Sequence, residues 1–220
     1  MTEQPPPAPQ RTLNRNPILL VALIVITVAV AFFSGRSLER AQPVSPQAEL
    51  QTAVQAFRLG YDQAALSMLV PLANEGNPKA QYWLADIYEN GLGVKSDPAV
   101  ALDLLKKSAG QGFVPAERHL GELYLRGNET MQDFGLAQTW LSKAASAGDG
   151  EAQRQLGHIF ALGLGVPRDL ARAYAWYENA VLSGDGLAKP MRDDLLTRMS
   201  PADIAKGEQM AKDIAGSPRP

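Results

Sequence analysis

Three consecutive segments of the sequence share one pattern at an interval of 36 residues, and no insertion or deletion interrupts it. The segments begin at Ala80, Ala116 and Ala152. A period of this length is typical of repeat architectures, in which small units stack on their neighbours. The other matching columns include Leu84/Leu120/Leu156, Ala85/Gly121/Gly157, Tyr88/Tyr124/Phe160, Gly91/Gly127/Gly163, Asp97/Asp133/Asp169, Ala101/Ala137/Ala173, Leu104/Trp140/Trp176 and Gly112/Gly148/Gly184.

Each copy is predicted to be a pair of helices. Its small, leucine, small and aromatic columns lie at positions i, i+4, i+5 and i+8, which form one apolar stripe on a helix. The Gly91 column should end that helix, because glycine enters the left-handed conformation without strain. The Asp97 column should cap the second helix by accepting from unpaired backbone N–H groups. In the second helix the Ala101 and Leu104 columns should face inward, and the Gly112 column should end the helix.

This pattern resembles the Sel1-like repeat, a relative of the tetratricopeptide repeat. The third copy carries most of the signature, with the segments LGHIF and GLGV followed by Asp169, Ala173, Trp176 and Gly184. The second copy departs from it at Glu129 and Thr130, which replace a Gly-Val pair, and the first copy has Ala85 for Gly and Leu104 for Trp. The resemblance implies an all-α, right-handed α-α solenoid that binds other proteins and is not an enzyme.

The folded part is predicted to span residues 47–216 and to be helical. Its repeats are residues 80–115, 116–151 and 152–187, and residues 47–79 resemble a shorter tetratricopeptide-like first unit. Residues 188–216 should form a closing pair of capping helices, because the terminal unit of a solenoid has one face without a neighbour. In the last helix Ser200 is a candidate cap, with Pro201 at the first position and Asp203 three residues after the cap.

A different kind of sequence precedes the repeats. Residues 1–16 form a Pro-rich tail that is expected to be disordered, and residues 36–46 form a linker. Between them, residues 17–35 carry no charge. As a helix they would measure about 28 Å, close to the ~30 Å hydrocarbon core of a bilayer, so we expect a transmembrane signal anchor. A cleaved signal peptide is the alternative, because Ala29-Val30-Ala31 resembles a cleavage site.

The orientation of this anchor is predicted from its flanking charges. Arg11 and Arg15 precede the span while Arg36 and Arg40 follow it, so the basic residues are tied. The free amino terminus adds positive charge to the leading side, which favours a cytoplasmic tail. Together with the resemblance, this predicts a single-pass protein of a bacterial inner membrane with its solenoid in the periplasm. A solenoid on the cytoplasmic side, or one secreted after cleavage, is the alternative.

Composition argues against several classes of function. The chain has no Cys and two His, His119 and His158, which occupy different repeat columns, so no thiolate or histidine metal site is expected. The 21 basic and 23 acidic residues lack the basic excess of a nucleic-acid-binding protein. No phosphate loop or nucleophile elbow is complete. We therefore expect no catalytic residue, no cofactor and no nucleic acid partner.

The candidate functional surface is the concave face of the solenoid, which the first helices of the repeats should line. By resemblance to the tetratricopeptide arrangement, this face carries the positions two before the repeat leucine, two after it and five after it. These positions are occupied by Tyr82, Asp86, Glu89, Arg118, Glu122, Leu125, Arg154, His158 and Ala161. All of them except Ala161, together with the neighbouring Trp83, form the predicted partner-binding set. Its acidic residues lie toward one end and its basic residues toward the other.

Two functions fit such a surface. The first is a non-enzymatic, membrane-tethered adaptor that presents a preformed groove to a peptide or protein, at a bilayer that concentrates weak contacts. The alternative is a structural protein that contacts cell-wall glycan through the rings of Tyr82 and Trp83. A charged face that contacts only solvent would have the same composition.

Overall fold

The computed structural model describes residues 45–127 and 130–216. Within these ranges the chain forms ten α-helices and no strand, and each helix from the first to the eighth packs against the next along the chain. The helices are α1 (Pro46–Arg58), α2 (Asp62–Asn74), α3 (Pro78–Asn90), α4 (Pro98–Gly110), α5 (Val114–Arg126), α6 (Phe134–Ser146), α7 (Gly150–Leu162), α8 (Leu170–Leu182), α9 (Ala188–Leu196) and α10 (Pro201–Gly216). The predicted all-helical solenoid of helix pairs is confirmed for this part of the chain.

The predicted helix boundaries follow from the cap residues. Gly91, Gly127 and Gly163 adopt left-handed φ values of 65°, 73° and 74° directly after α3, α5 and α7. The Asp97 column caps α4, α6 and α8, because each of its carboxylates accepts from backbone N–H groups in the first turn. One end of six of the ten helices is therefore fixed by local chemistry that the sequence shows.

The core consists of the leucine column and its neighbours. Leu120 and Leu156 are fully buried, and Leu84 is 5% exposed. Burial of such a side chain contributes about 1.5–3 kcal/mol, so each repeat brings its own share of the stabilisation. The layers between helix pairs are separate clusters of this kind, which is the expected organisation of a stack of repeats.

The inward column of the second helices was predicted one residue too early. Trp140 and Trp176 are half-buried, and the ammonium of Lys143 lies 4.1 Å from the Trp140 ring centroid. The next column is the buried one, with Leu105 and Leu141 fully buried and Tyr177 only 3% exposed. Neighbouring positions on a helix are about 100° apart, so a broad apolar stripe does not decide which of them faces the partner helix.

The small column in the first helices has the predicted role of allowing close approach. A Cβ on Gly121 would lie 2.6 Å from Leu141 Cγ, and a Cβ on Gly157 would lie 2.5 Å from Tyr177 Cδ1. The closely approaching helix is therefore the second helix of the same repeat. In the first repeat Ala85 occupies this column and is fully buried.

The closing helix pair departs from the repeat geometry. Helix α10 packs against α8, and the gap between them is narrow because Gly207 faces the Tyr174 ring, where a Cβ would be 2.8 Å from Cδ1. The Asn179 side chain donates to the Ala211 carbonyl oxygen at 3.0 Å. The predicted cap is confirmed, because Ser200 Oγ accepts from the Asp203 backbone N–H and donates to the Asp203 carboxylate.

The predicted tail, transmembrane anchor and linker, residues 1–46, lie outside the described residues except for the last two. No helix within the described ranges is long and apolar enough to cross a membrane. The anchor over residues 17–35 remains a prediction.

Candidate functional site

The predicted partner-binding residues lie on three first helices that are neighbours in space. We call their common surface the first-helix face; it comprises Tyr82, Trp83, Asp86 and Glu89 on α3, Arg118, Glu122 and Leu125 on α5, and Arg154 and His158 on α7. All nine residues are half-buried. Glu89 contacts His119 across the gap from α3 to α5, and Arg118 contacts Glu151 across the gap from α5 to α7. The set therefore forms one continuous surface.

One end of this face is aromatic. The Tyr82 ring lies 5.3 Å from Trp83 and 5.4 Å from Phe113 between centroids, and both pairs meet edge to face. Trp83 also contacts Phe57 at 5.3 Å, so the cluster reaches back to α1. Burial raises the pKa of the Tyr82 hydroxyl, and the Arg118 guanidinium opposes this effect. We call Phe57, Tyr82, Trp83 and Phe113 the aromatic end.

Carboxylates adjoin the aromatic end. Asp86 accepts a hydrogen bond from the Asn90 amide at 2.8 Å and forms no ion pair with any residue that the structure describes. Burial raises the pKa of Asp86, and the neighbouring charge of Glu89 adds to the effect. Glu89 lies 3.1 Å from His119 Nε2, and the His119 ring lies 6.2 Å from Tyr82. A half-buried carboxylate without a cationic partner is thus held one turn from an aromatic cluster.

The other end of the face is a chain of ion pairs. Arg118 contacts Glu122 at 3.2 Å and Glu151 at 2.8 Å, and Glu151 also contacts Arg154 at 3.1 Å. Burial lowers the pKa of the Arg118 guanidinium, but Glu122, Glu151 and Asp149 outweigh burial and raise it. The chain continues outward from Glu122 to Arg126 at 3.3 Å. We call this chain the ionic end.

The two ends occupy the same pair of repeat columns. In each repeat a residue of the first helix contacts the residue 31 positions later, which precedes the first helix of the next unit. These pairs are Tyr82–Phe113, with 5.4 Å between ring centroids, Arg118–Asp149, with 3.3 Å between Nε and Oδ2, and Arg154–Asp185, with 2.7 Å between Nε and Oδ2. An aromatic pair in the first repeat thus replaces the ion pairs of the second and third.

The predicted charge separation is therefore only half realised. The acidic residues Asp86 and Glu89 do lie toward one end, but the basic residues Arg118 and Arg154 are matched by carboxylates. Of the remaining predicted residues, Leu125 packs against the core layer of the next repeat. No hydrogen bond, ion pair or ring contact joins the His158 side chain to the rest of the described residues.

Sequence reasoning missed the partners of these side chains that lie in the turns before the next unit. Phe113, Asp149 and Asp185 are turn residues outside the helical stripe, and His119, whose side chain is 16% exposed, was considered only as a metal ligand. The sequence did contain an indication of these contacts, because the three turn residues form their own column at an interval of 36 residues. Its residue type changes together with that of the Tyr82 column.

The groups on the first-helix face can be compared with those that hold metal ions or contact partners. Among the described residues no three His, Asp or Glu side chains are grouped so that they could hold a metal ion. The face offers ring edges, one carboxylate without a cation and a series of matched charges. Ring edges and a carboxylate of this kind are groups that can contact another molecule.

Helix pairs with this repeat length and these caps define an α-solenoid protein. The sequence profile of the Sel1 repeat matches residues 78–113, 114–149 and 150–185. This chain is therefore a Sel1-repeat protein, and proteins with this fold are typically interaction scaffolds. The profile divides the repeats two residues earlier than the division predicted from the alanine columns.

Solved structures support the same assignment. A Sel1 repeat protein from Oxalobacter formigenes is 33% identical with a TM-score of 0.63, over 69% of this chain and 45% of that one. The protein c5321, a protective antigen present in uropathogenic Escherichia coli strains that displays an SLR fold, is 26% identical with a TM-score of 0.51, over 76% of this chain and 46% of that one. This chain thus spans less than half the length of either relative. A search of the curated proteins found no match.

Proposed function

We propose that this protein is a membrane-tethered scaffold that binds a protein segment at the aromatic end of its first-helix face. The observation that carries the proposal is the exchange of Arg–Asp for Tyr82–Phe113 in one repeat out of three. The charges of an ion pair neutralise each other, whereas ring edges and a carboxylate without a cation can still contact a partner. Rings that present an apolar body and a polar tip are enriched at protein interfaces.

The chemistry of the aromatic end favours one kind of segment. Asp86 lacks a cation among the described residues, and it lies on the same helix as the rings of Tyr82 and Trp83. A lysine or arginine side chain could pair with the carboxylate and lie against a ring face at the same time. An apolar neighbour in the segment would contact the rest of the cluster. The preferred partner is therefore a basic segment with apolar residues beside the charge.

Site-directed crosslinking of the full-length protein in its native membranes tests this binding surface. A photoreactive benzoylphenylalanine would replace Trp83 at the aromatic end or, as a control, Val100, which is exposed on α4. We expect a crosslinked protein from the Trp83 position, and we expect Asp86→Lys to abolish it. Asp103→Lys is the matched control, because Asp103 is an exposed carboxylate on α4. Crosslinks from Val100 alone, or insensitivity to Asp86→Lys, would place the partner elsewhere.

Retention on purified cell wall separates the scaffold from the glycan-binding alternative. Sugar rings usually stack on a flat aromatic face. The Tyr82 ring instead meets Trp83 and Phe113 edge to face, and Trp83 meets Phe57 at an angle of 50°. We therefore expect purified cell wall to retain the parent and a Tyr82→Ala, Trp83→Ala double variant equally. Retention of the parent with loss of the double variant would favour the glycan.

The tether and its orientation form the second part of the proposal. They rest on the uncharged stretch of residues 17–35 and on the charges that flank it. The proposed location is a bacterial inner membrane with the solenoid in the periplasm. A reporter that is active only in the cytoplasm should be silent when it is fused after Pro220. Strong reporter activity would reverse the orientation, and extraction of the protein by alkaline carbonate would exclude the tether.

A further inference from the structure

Two grooves lie at equivalent places in successive repeats, away from the residues of the first-helix face. The second-repeat groove lies among the ends of α4 and α6 and the start of α5, with a cavity volume of about 680 Å³. The third-repeat groove lies among the ends of α6 and α8 and the start of α7, with a volume of about 370 Å³. Most of their lining residues are 36 positions apart, as in Gly112 and Gly148, Glu117 and Gln153, and Lys143 and Asn179.

The third-repeat groove is closed on one side by a helix of the chain itself. The last turn of α10 lines it through Ile214 and Ala215. The Asn179 side chain, in the wall of the groove, donates to the Ala211 carbonyl oxygen at 3.0 Å. Among the described residues, the second-repeat groove is lined by α4, α5, α6 and their connections, with no counterpart of α10. The molecule thus contains one groove with a helix end against it and one equivalent groove without.

Glu117 places a buried carboxylate in the wall of the second-repeat groove. In the first and third repeats this column is glutamine, and Gln81 and Gln153 donate to the carbonyl oxygens of Ala73 and Ala145 at 3.2 and 3.1 Å. A carboxylate cannot make this donation. Glu117 is 6% exposed and lines the groove, yet its carboxylate makes no hydrogen bond or ion pair with any described residue.

Lys143, a cation in the lining of the groove, does not supply the missing donor to Glu117. The Lys143 ammonium lies 4.1 Å from the centroid of the Trp140 ring and forms no ion pair with Glu117 within the described ranges. Burial raises the pKa of the Glu117 carboxyl, and the charge of Lys143 opposes this effect only in part. The Glu117 oxygens are not fully enclosed, so they can be reached from the groove. A donor that enters the groove could therefore pair with this carboxylate.

We propose that the second-repeat groove is a separate docking site for a helical segment of a partner protein, which inserts a lysine or arginine side chain beside Glu117. The position of α10 against the equivalent groove gives the shape of the occupant, and the unpaired carboxylate gives its charge. The inserted cation donates to Glu117 and can also reach the Ala109 carbonyl, which takes the place of Ala73 and Ala145. The site is independent of the aromatic end, so one molecule could hold two partners.

Labelled peptides provide the test, with the full-length protein in detergent and fluorescence anisotropy as the measurement. The parent peptide has the sequence of α10, residues 201–216. One variant carries Ile214→Lys and its matched control carries Ile214→Glu, because Ile214 lines the third-repeat groove together with Gln153. We expect the lysine peptide to bind about tenfold more tightly than the glutamate peptide, which corresponds to about 1.4 kcal/mol.

Variants of the protein then locate the binding. Glu117→Gln should fold normally, because glutamine occupies this column in both neighbouring repeats, and it should remove the preference for the lysine peptide. Glu151→Gln, at a carboxylate of the first-helix face, should leave the preference unchanged. Adding Ala211→Pro to the lysine peptide should abolish its binding if the occupant is helical.

Three results would overturn the proposal. They are equal affinities for the lysine and glutamate peptides, a preference that survives Glu117→Gln, and full binding of the proline-containing peptide. None of these results bears on the crosslinking from Trp83, so the two sites can fail separately.

Discussion

The first repeat and the two that follow differ at the point where each meets the next helix on the first-helix face. Tyr82 contacts Phe113 in the first, whereas Arg118 and Arg154 contact Asp149 and Asp185 in the others. The helices that carry these residues have the same length. Exchanging a single pair of columns therefore converts an ion-paired surface into an aromatic one without a change in the fold. A repeat array can place a binding site in this way while its core columns remain unchanged.

The largest effect should come from breaking the ionic end. Arg154→Met leaves Asp185, whose side chain is 10% exposed, without its cation. Because a buried charge that has lost its partner is strongly destabilising, we expect a loss of about 2–3 kcal/mol in the free energy of unfolding. Guanidinium unfolding of the full-length protein in detergent, followed by circular dichroism, measures this loss.

A surface pair provides the control for that experiment. Lys189 and Asp193 lie 2.7 Å apart, but their side chains are 64% and 42% exposed. Lys189→Met should therefore cost less than about 0.5 kcal/mol, as exposed ion pairs usually do. Equal losses for Lys189→Met and Arg154→Met would mean that the ionic end is solvated and does not stabilise the stack.

The second prediction converts the aromatic end into the ionic one. Tyr82→Arg together with Phe113→Asp recreates the pair found in the next two repeats, and the new aspartate can also cap α5 as Asp149 caps α7. We expect the double variant to lie within about 1 kcal/mol of the parent, with a favourable coupling of roughly 1 kcal/mol between the two changes. A double-mutant cycle of unfolding free energies measures that coupling.

Binding and stability should separate in this variant. The double variant keeps the fold, but it should lose the partner that crosslinks from the Trp83 position. An undiminished crosslink would show that the Tyr82–Phe113 pair only contributes to packing and that partner recognition depends on other residues. A variant that fails to fold would show that the columns are not interchangeable between repeats.

The sequence was sufficient for the backbone and insufficient for the contacts of the site. The glycine and aspartate columns predict the helix ends, because capping depends on one residue and its own backbone. The inward column of the second helices was misplaced by one residue, since Trp140 and Leu141 both lie on the apolar side and only packing against α5 distinguishes them. The partners at the i+31 positions were missed, because a helical stripe contains no information about the turn of the next repeat.

The smallest expected effect concerns the column of Gln81, Glu117 and Gln153, which also differs between the repeats. Because burial raises the pKa of Glu117 above its ordinary value of 4.5, the folded protein holds this proton more tightly than the unfolded chain does. The contribution of Glu117 to stability is therefore greatest in acid and is lost as the pH rises through the folded pKa. Glutamine does not titrate, and it can donate to the Ala109 carbonyl as Gln81 and Gln153 do in their repeats.

Glu117→Gln should consequently stabilise the protein by about 1 kcal/mol at pH 7, and this gain should shrink as the pH falls toward 4. The shift of Asp86 is common to both proteins and cancels in the difference between their unfolding free energies. Glu151→Gln, whose carboxylate is paired with Arg118 and Arg154, should instead destabilise at neutral pH. The prediction is contradicted if the difference in unfolding free energy between parent and Glu117→Gln stays constant from pH 4 to pH 7. That result would show that the Glu117 carboxylate already has a donor. The second-repeat groove would then not require a cation from a partner.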